Sequence, residues 1–125
     1  MKQILVVDDS ATMRRMVMAS LRGLTEVSFD EASSGLEAIE YLAMSSIDLM
    51  ILDLNMPDMH GLEVLKFVRG QEKYQTIPII ILTTRGDESS RGAAIAAGAS
   101  RYLTKPFDPG KLAEEANDLL QDGEI

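Results

Sequence analysis

Five short runs rich in Val, Ile and Leu alternate along the chain with five longer segments whose apolar residues recur at spacings of three and four. Short apolar or alternating runs read as strands, and the longer period reads as amphipathic helix. The alternation is the pattern of repeated βα units wound around a parallel sheet. The predicted strands are Ile4–Val7, Val27–Ala32, Ile47–Leu52, Ile79–Leu82 and Arg101–Thr104. Ile47–Leu52, in which only Asp48 is polar, and Ile79–Leu82 are nearly continuous in apolar residues. Helices should cover both of their faces, which places them centrally in the sheet.

Helical stripes run through Met13, Met16, Val17 and Leu21, then Leu36, Ile39 and Ala43, then Val64, Leu65 and Val68. The last helix repeats the pattern at Leu112, Ala113, Ala116, Leu119 and Leu120. The Met-bearing stripe Met13–Met16 reads as core packing, the commonest use of such residues. Asp87 to Ala97 is small and polar, with Ile95 its one large apolar residue, and predicts the weakest helix. Punctuation agrees with this division: Gly23 and Gly98 follow helical runs, Ser33 or Ser34 can cap the second helix, and Pro109 suits a first helical turn. The last residues, Gln121 to Ile125, read as a frayed end with no linker, so residues 1–125 are expected to form one domain with no output domain.

Composition narrows the class. The 125 residues are enough for a single buried core, and 46% hydrophobic with 26% charged residues is the balance of a soluble globular protein. Without cysteine there is neither a disulfide framework nor a thiolate metal site, which fits a reducing compartment and makes the cytoplasm the expected location. The apolar run Ile4–Val7 is far too short for a signal-peptide core or a membrane span. A formal charge of −8 repels phosphate backbones and anionic lipid, so neither nucleic acid nor a membrane is an expected partner.

The chemistry gathers at strand ends. Asp8 and Asp9 follow the first predicted strand and Asp53 follows the third. In a parallel α/β sheet the carboxyl ends of the strands share one edge, where ligands bind at a topological switch point. Three carboxylates meeting there repel one another unless they hold a cation, and oxygen-only ligation points to Mg²⁺, Mn²⁺ or Ca²⁺. The same edge receives Thr83 with Thr84 after the fourth strand and Lys105 after the fifth. A hydroxyl donor and an ammonium opposite a metal would cradle the terminal oxygens of a phosphoryl group. Lys105 precedes Pro106, a bond that can be cis at modest cost, and the sequence leaves its isomer open.

Taken singly, these residues have plainer uses. Asp8 and Asp9 could cap the first helix, and Asp53 with Asn55, Pro57 and Asp58 could be only a turn. Thr83 and Thr84 could be strand-end residues, Lys105 a solvated charge, and His60, with no second His to assist it, a loop residue. Their joint placement at the ends of four strands is what favours a common site.

The sequence Ile4-Leu-Val-Val-Asp-Asp-Ser10, then Asp53-Leu-Asn-Met-Pro-Asp-Met-His-Gly61, then Thr83-Thr84 and Lys105-Pro106-Phe107 resembles the response-regulator receiver domain, particularly its single-domain chemotaxis (CheY) type. The resemblance runs from Ile4 to about Leu120. It implies a doubly wound, flavodoxin-like α/β fold with a five-stranded parallel sheet in the order 2-1-3-4-5, for which proteins of this kind are themselves a standard example. It further implies that Asp53 is the phosphoacceptor, that Asp9 binds Mg²⁺ directly with Asp8 assisting, and that the Asn55 backbone carbonyl is a further ligand, Mn²⁺ being able to substitute. Thr83 and Lys105 would contact the phosphoryl oxygens.

On the same resemblance, a histidine kinase would donate the phosphoryl group, with a small acyl phosphate such as acetyl phosphate as an alternative. Autodephosphorylation would be slow, at a rate tuned by Asn55 and Arg85; Arg85 stands where the enteric chemotaxis protein has an acid. Tyr102 would turn inward as Thr83 moves toward the phosphoryl group, altering a partner face that includes Asp87, Arg91, Ile95 and Thr104. That face would bind a flagellar motor switch component or a relay protein, with a phosphatase as a further partner. The protein would therefore be a signalling phosphoacceptor and not an enzyme acting on free substrate. Against a phosphatase, Asn55 stands where an aspartyl-nucleophile hydrolase usually places a second acid. Against a flavodoxin-like cofactor binder, no phosphate-binding Gly/Ser/Thr loop follows the first strand and there is no Trp to stack on a flavin.

Overall fold

In the computed structural model, which describes residues 1–122, strands and helices alternate in the order the apolar pattern predicts. The strands are β1 (Lys2–Val7), β2 (Val27–Ala32), β3 (Leu49–Leu52), β4 (Ile79–Thr83) and β5 (Arg101–Thr104). The helices are α1 (Ala11–Leu21), α2 (Gly35–Met44), α3 (Gly61–Gly70), α4 (Glu88–Ala96) and α5 (Pro109–Asp122), with a short 3-10 turn at Glu72–Tyr74. Every strand pair is parallel and the order is β2-β1-β3-β4-β5, the expected doubly wound sheet. As predicted, β3 is central and β4 is interior; β1 shares that interior position.

Successive side chains of a strand point to opposite faces, so a strand that is apolar throughout feeds two cores. Ile4, Val6, Leu49, Ile51, Ile80 and Leu82 meet α1 and α5 through Val17, Leu21, Leu112, Ala116 and Leu120. Leu5, Val7, Met50, Leu52, Ile79 and Ile81 meet α2, α3 and α4 through Ala38, Leu42, Val64, Leu65, Val68 and Ala94. Burial of these side chains, at about 1.5–3 kcal/mol each, holds the strand ends in a fixed frame. Among the described residues no helix is long and apolar enough to cross a membrane.

Two helices face differently from their predicted stripes. Met16 is 50% exposed and Met13 only half-buried, so α1 packs through Val17 and Leu21, with Met18 at the margin. In α2, Leu36 is 56% exposed and Ala43 is exposed, whereas Gly35, Ala38 and Leu42 are buried. A Cβ on Gly35 would lie 2.7 Å from Met59 Cβ, so this helix starts hard against the β3–α3 loop, with Gly35 facing it. The true face is one residue, about 100° of helical rotation, from the predicted one. Ile95 is 46% exposed and Ala94 is the one buried residue of α4.

Caps explain most boundaries. Ser10 Oγ accepts from Met13 N at the start of α1, Ser34 Oγ from Glu37 N at α2, and Asp87 from Ser90 N at α4. Pro109 opens α5 as predicted. β3 begins at Leu49 and not Ile47, because the Asp48 carboxylate takes the Gln3 amide at 2.8 Å in place of a ladder partner. Helix α5 continues through Gln121 and Asp122, so the frayed end does not begin at Gln121; its remainder, residues 123–125, lies outside the described residues.

The tightest approach is at the start of α3, where Gly61 N donates to Leu54 O at 2.9 Å. A Cβ there would lie 2.2 Å from Asp53 O and 2.6 Å from Leu54 Cα, both backbone atoms that cannot swing away. Gly61→Ala should therefore destabilise the protein by about 1–3 kcal/mol in urea unfolding. Gly23→Ala, where nothing lies within 4 Å of the added Cβ, should stay within about 0.5 kcal/mol of the parent. Equal effects at the two positions would mean that the Asp53–Gly61 backbone approach is not a tight constraint.

Candidate phosphoryl and metal site

The ladders bring the strand ends together. Val7 pairs with Leu52, Asp8 N donates to Ala32 O and Asp53 N to Val7 O, both at 3.0 Å, which sets Asp8 and Asp53 side by side past the ends of β1 and β3. Thr83 pairs with Thr104, and Lys105 N donates to Thr83 O at 2.8 Å, so Lys105 leaves the sheet toward the same edge. The Lys105–Pro106 bond, left open by the sequence, is cis.

Asp8, Asp9 and Asp53 each offer a carboxylate oxygen within 4.8 Å of the others. Asp8 and Asp53 are 4% and 5% exposed, whereas Asp9 faces solvent at the mouth. Lys105 Nζ lies 2.7 Å from Asp8 Oδ2 and 3.5 Å from Asp53 Oδ2, one ammonium shared by two buried acids. Three carboxylates against one ammonium leave an excess of two negative charges when all are ionised, which suits a divalent cation in both charge and donor chemistry. Burial raises the Asp53 pKa from its ordinary value and the neighbouring Asp8 charge adds to the rise, while the Asn55 N–H and Lys105 oppose it.

Asp8 is held from behind as well. Its Oδ1 accepts from Ser10 N at 2.9 Å, and its carbonyl accepts from Arg14 Nη1 at 2.7 Å, while Arg14 Nε pairs with Glu31 at 2.9 Å. Ser10, and neither aspartate, is the N-cap of α1, so capping does not account for the Asp8–Asp9 pair. The Arg14 clamp has no sequence signal, since it depends on where the first turn of α1 meets the end of β1.

Thr83 is fully buried, its Oγ1 accepting from Arg85 N at 3.3 Å. Thr84 is exposed and accepts from Asn55 Nδ2 at 3.4 Å, while Arg85 Nε donates to Asn55 Oδ1 at 3.1 Å. The two positions that the resemblance names as rate-tuning thus touch across the mouth of the pocket. Tyr102 is already turned inward, 7% exposed with its hydroxyl donating to Arg85 O while Thr83 still accepts from Arg85 N. It is therefore not a surface tyrosine and, contrary to the expectation from the resemblance, its burial does not wait on a movement of Thr83. The Arg91 guanidinium lies 5.8 Å from the Tyr102 ring centroid, which joins the Asp87–Arg91–Ile95 stripe of α4 to β5. Thr104 is exposed at the end of that strand.

His60 is not a free loop residue: its Nδ1 accepts from Leu62 N at 3.2 Å and caps α3. Asp58, read from sequence as part of a turn, reaches across to α2 and accepts from Gly35 N and Leu36 N, each at 3.1 Å. Desolvation pushes its pKa up, but the Leu36, Gly35 and Met59 amides outweigh this and hold the carboxyl below its ordinary value.

The chain as a whole is similar to known proteins. The family described as the response regulator receiver domain matches residues 4–117. A chemotaxis protein CheY homolog of Campylobacter jejuni is 42% identical over 122 residues, covering 97% of this chain and 94% of the relative. The chemotaxis response regulator CheY4 of Vibrio cholerae superposes with a TM-score of 0.86 at 35% identity, over 95% of this chain and 98% of that one. The Mn²⁺-bound form of response regulator Rcp1 has a TM-score of 0.81 at 28% identity, over 95% and 91% of the two chains.

The raised Asp53 pKa has a consequence for stability. A carboxyl whose folded pKa lies above its unfolded one contributes stability below the unfolded pKa, and that contribution is lost as pH rises through the folded pKa. In metal-free buffer at neutral pH, Asp53→Asn should therefore melt higher than the parent, Lys105 keeping its pairing with Asp8. The advantage should shrink as the buffer is acidified through the raised Asp53 pKa and be gone below the ordinary carboxylate value. A gap that persists unchanged at low pH would show that ionisation of Asp53 is not its source.

Proposed function

Because the chain belongs to the response regulator receiver domain family, a signalling family that includes chemotaxis proteins similar to it, we propose that it accepts a phosphoryl group on Asp53 in a Mg²⁺-dependent reaction and changes partners as a result. The observation that carries this reading is the buried Asp53 carboxylate, set among Asp8, Asp9 and the shared Lys105 ammonium. Asp9, Asp53 and the Asn55 carbonyl would hold the cation, with Asp8 assisting from beside Lys105. When bound, Mg²⁺ or Mn²⁺ would offset negative charge on the phosphoryl oxygens.

One Asp53 carboxylate oxygen attacks the phosphorus, and the bond from phosphorus to the donor's nitrogen or oxygen breaks in line with it. The donor is a phosphohistidine of a histidine kinase or a small acyl phosphate. Burial keeps Asp53 poorly hydrated and so readier to attack. Converting that carboxylate to a mixed anhydride replaces its single negative charge with those of the phosphoryl group, which the bound cation and Lys105, turning from Asp53 toward a phosphoryl oxygen, would offset. Thr83 supplies a hydroxyl to another oxygen after giving up its bond with Arg85 N. Asn55 and Arg85, joined over the mouth, govern how readily water reaches the acyl phosphate.

The displacement of Thr83 is felt at Tyr102 through Arg85, and thence on a face formed by Asp87, Arg91, Ile95, Tyr102 and Thr104. A flagellar motor switch component or a relay protein would read that face, in the cytoplasm.

Acetyl phosphate with Mg²⁺ should add one phosphoryl group to the parent by intact mass and none to Asp53→Asn, since an amide cannot form the acyl phosphate. Asp9→Ala should label only when the metal concentration is raised well above that needed by the parent. Equal labelling of Asp53→Asn would move the acceptor elsewhere. For the switch, beryllofluoride should shift the amide resonances of α4 and β5 in the parent, and Thr83→Ala should confine the shifts to the neighbourhood of Asp53. A full response of Tyr102 and Arg91 in Thr83→Ala would mean that the signal leaves the site by another route.

A further inference from the structure

The β3–α3 loop that carries Asn55 is held at several points. Leu54 and Met56 sink into the core while Asn55 and Pro57 stand out of it. Asn55 N donates to Asp53 Oδ1 at 3.2 Å, and Gly61 N closes the loop on Leu54 O. These contacts fix the two ends but leave the segment around Pro57 with no backbone ladder. The remaining anchor is Asp58, whose two carboxylate oxygens take one amide each from Gly35 and Leu36, the first two residues of α2. Those amides have no partner within their own helix, and Ser34 serves only the third, at Glu37. Met59 then packs against Gly35 with no room for a Cβ between them.

We propose that Asp58 is a positioning residue for phosphoryl transfer: by clamping α2, it holds the β3–α3 loop on the course that would present the Asn55 carbonyl to a cation held by the three carboxylates. This rests on the reading of Asp53 as phosphoacceptor and of the Asn55 carbonyl as a metal ligand. Asp58 touches neither the metal nor the phosphoryl group. Its two bonds form a fork across 22 and 23 residues of sequence, so it ties the loop to an element that is otherwise independent of the site. A partner bonded directly to a metal ligand typically changes metal affinity by 10- to 100-fold when removed, and Asp58 acts one step further out, through the loop. Here the lower end applies, because Asn55 keeps its own bonds to Asp53, Thr84 and Arg85.

The plainer role, stabilising α2, is separated by a control on the same helix end. Ser34→Ala removes the bond to Glu37 N without touching the loop. Mg²⁺ affinity by calorimetric titration and the acetyl phosphate labelling rate at saturating Mg²⁺ are compared in the parent, Asp58→Ala, Asp58→Asn and Ser34→Ala. Asp58→Ala should lose about tenfold in Mg²⁺ affinity and label more slowly. Asp58→Asn, whose amide oxygen can still accept one of the two bonds, should fall between Asp58→Ala and the parent and serves as the test if Asp58→Ala fails to fold. Ser34→Ala should melt lower yet match the parent in both measurements. Parent-like metal affinity and labelling in the Asp58 variants, or equal losses in Ser34→Ala, would overturn the proposal. Labelling of Asp53→Asn would instead overturn the phosphoacceptor reading on which it rests, so the two failures are distinguishable.

Discussion

Three carboxylates within 4.8 Å of one another repel, and every other feature of the site is arranged around that repulsion. The sheet imposes the proximity: β1 and β3 are neighbours, their ladder runs to Val7 and Leu52, and the next residue of each strand is an aspartate. A backbone hydrogen bond at the strand end holds the main chain of each acid in place. Lys105 relieves part of the charge from the far side of the sheet, and Asp9 stays in solvent. The stability for this arrangement comes from the two apolar cores, which have no polar side chain facing them from β3 or from Ile79–Leu82 of β4.

Much of this was legible in the sequence, because the features concerned are local. Unbroken apolar runs marked β3 and β4 as interior, and acids directly after a strand marked the edge on which they would meet. Cap residues such as Ser34 and Pro109 were visible because each acts within a turn of its own position. The errors came where a neighbour distant in sequence decides the outcome. Leu36 and Ala43 carry the more obvious apolar stripe of α2, yet Met59 presses on Gly35 and the helix turns Gly35, Ala38 and Leu42 inward instead. Met16 is no more buried than many surface residues because Val17 and Leu21 already fill the space over β1 and β3.

The site residues divide in the same way. Asp8, Asp53, Thr83 and Lys105 could be placed by counting from strand ends; the two acids and the ammonium meet, while the Thr83 hydroxyl takes the Arg85 amide. The Arg14 clamp on the Asp8 carbonyl, the Asn55–Arg85 bridge and the Asp58 fork could not, since each joins side chain to partner across elements whose relative placement only the packed fold defines. Periodicity reports which face a residue occupies, and it is silent about how far a long side chain reaches from that face.

Arg85 contributes three separate groups. Its N–H serves the Thr83 hydroxyl, its carbonyl receives the Tyr102 hydroxyl, and its guanidinium reaches Asn55 over the pocket mouth. The first two belong to the main chain and are present whatever side chain stands at that position; the third is specific to arginine. A substitution there can therefore alter the chemistry at the entrance while leaving the mechanical link between Thr83 and Tyr102 in place. On the proposed reading, speed of the chemistry and transmission of its result are carried by different atoms of one residue, so evolution or design could retune the clock of the switch without redrawing its wiring.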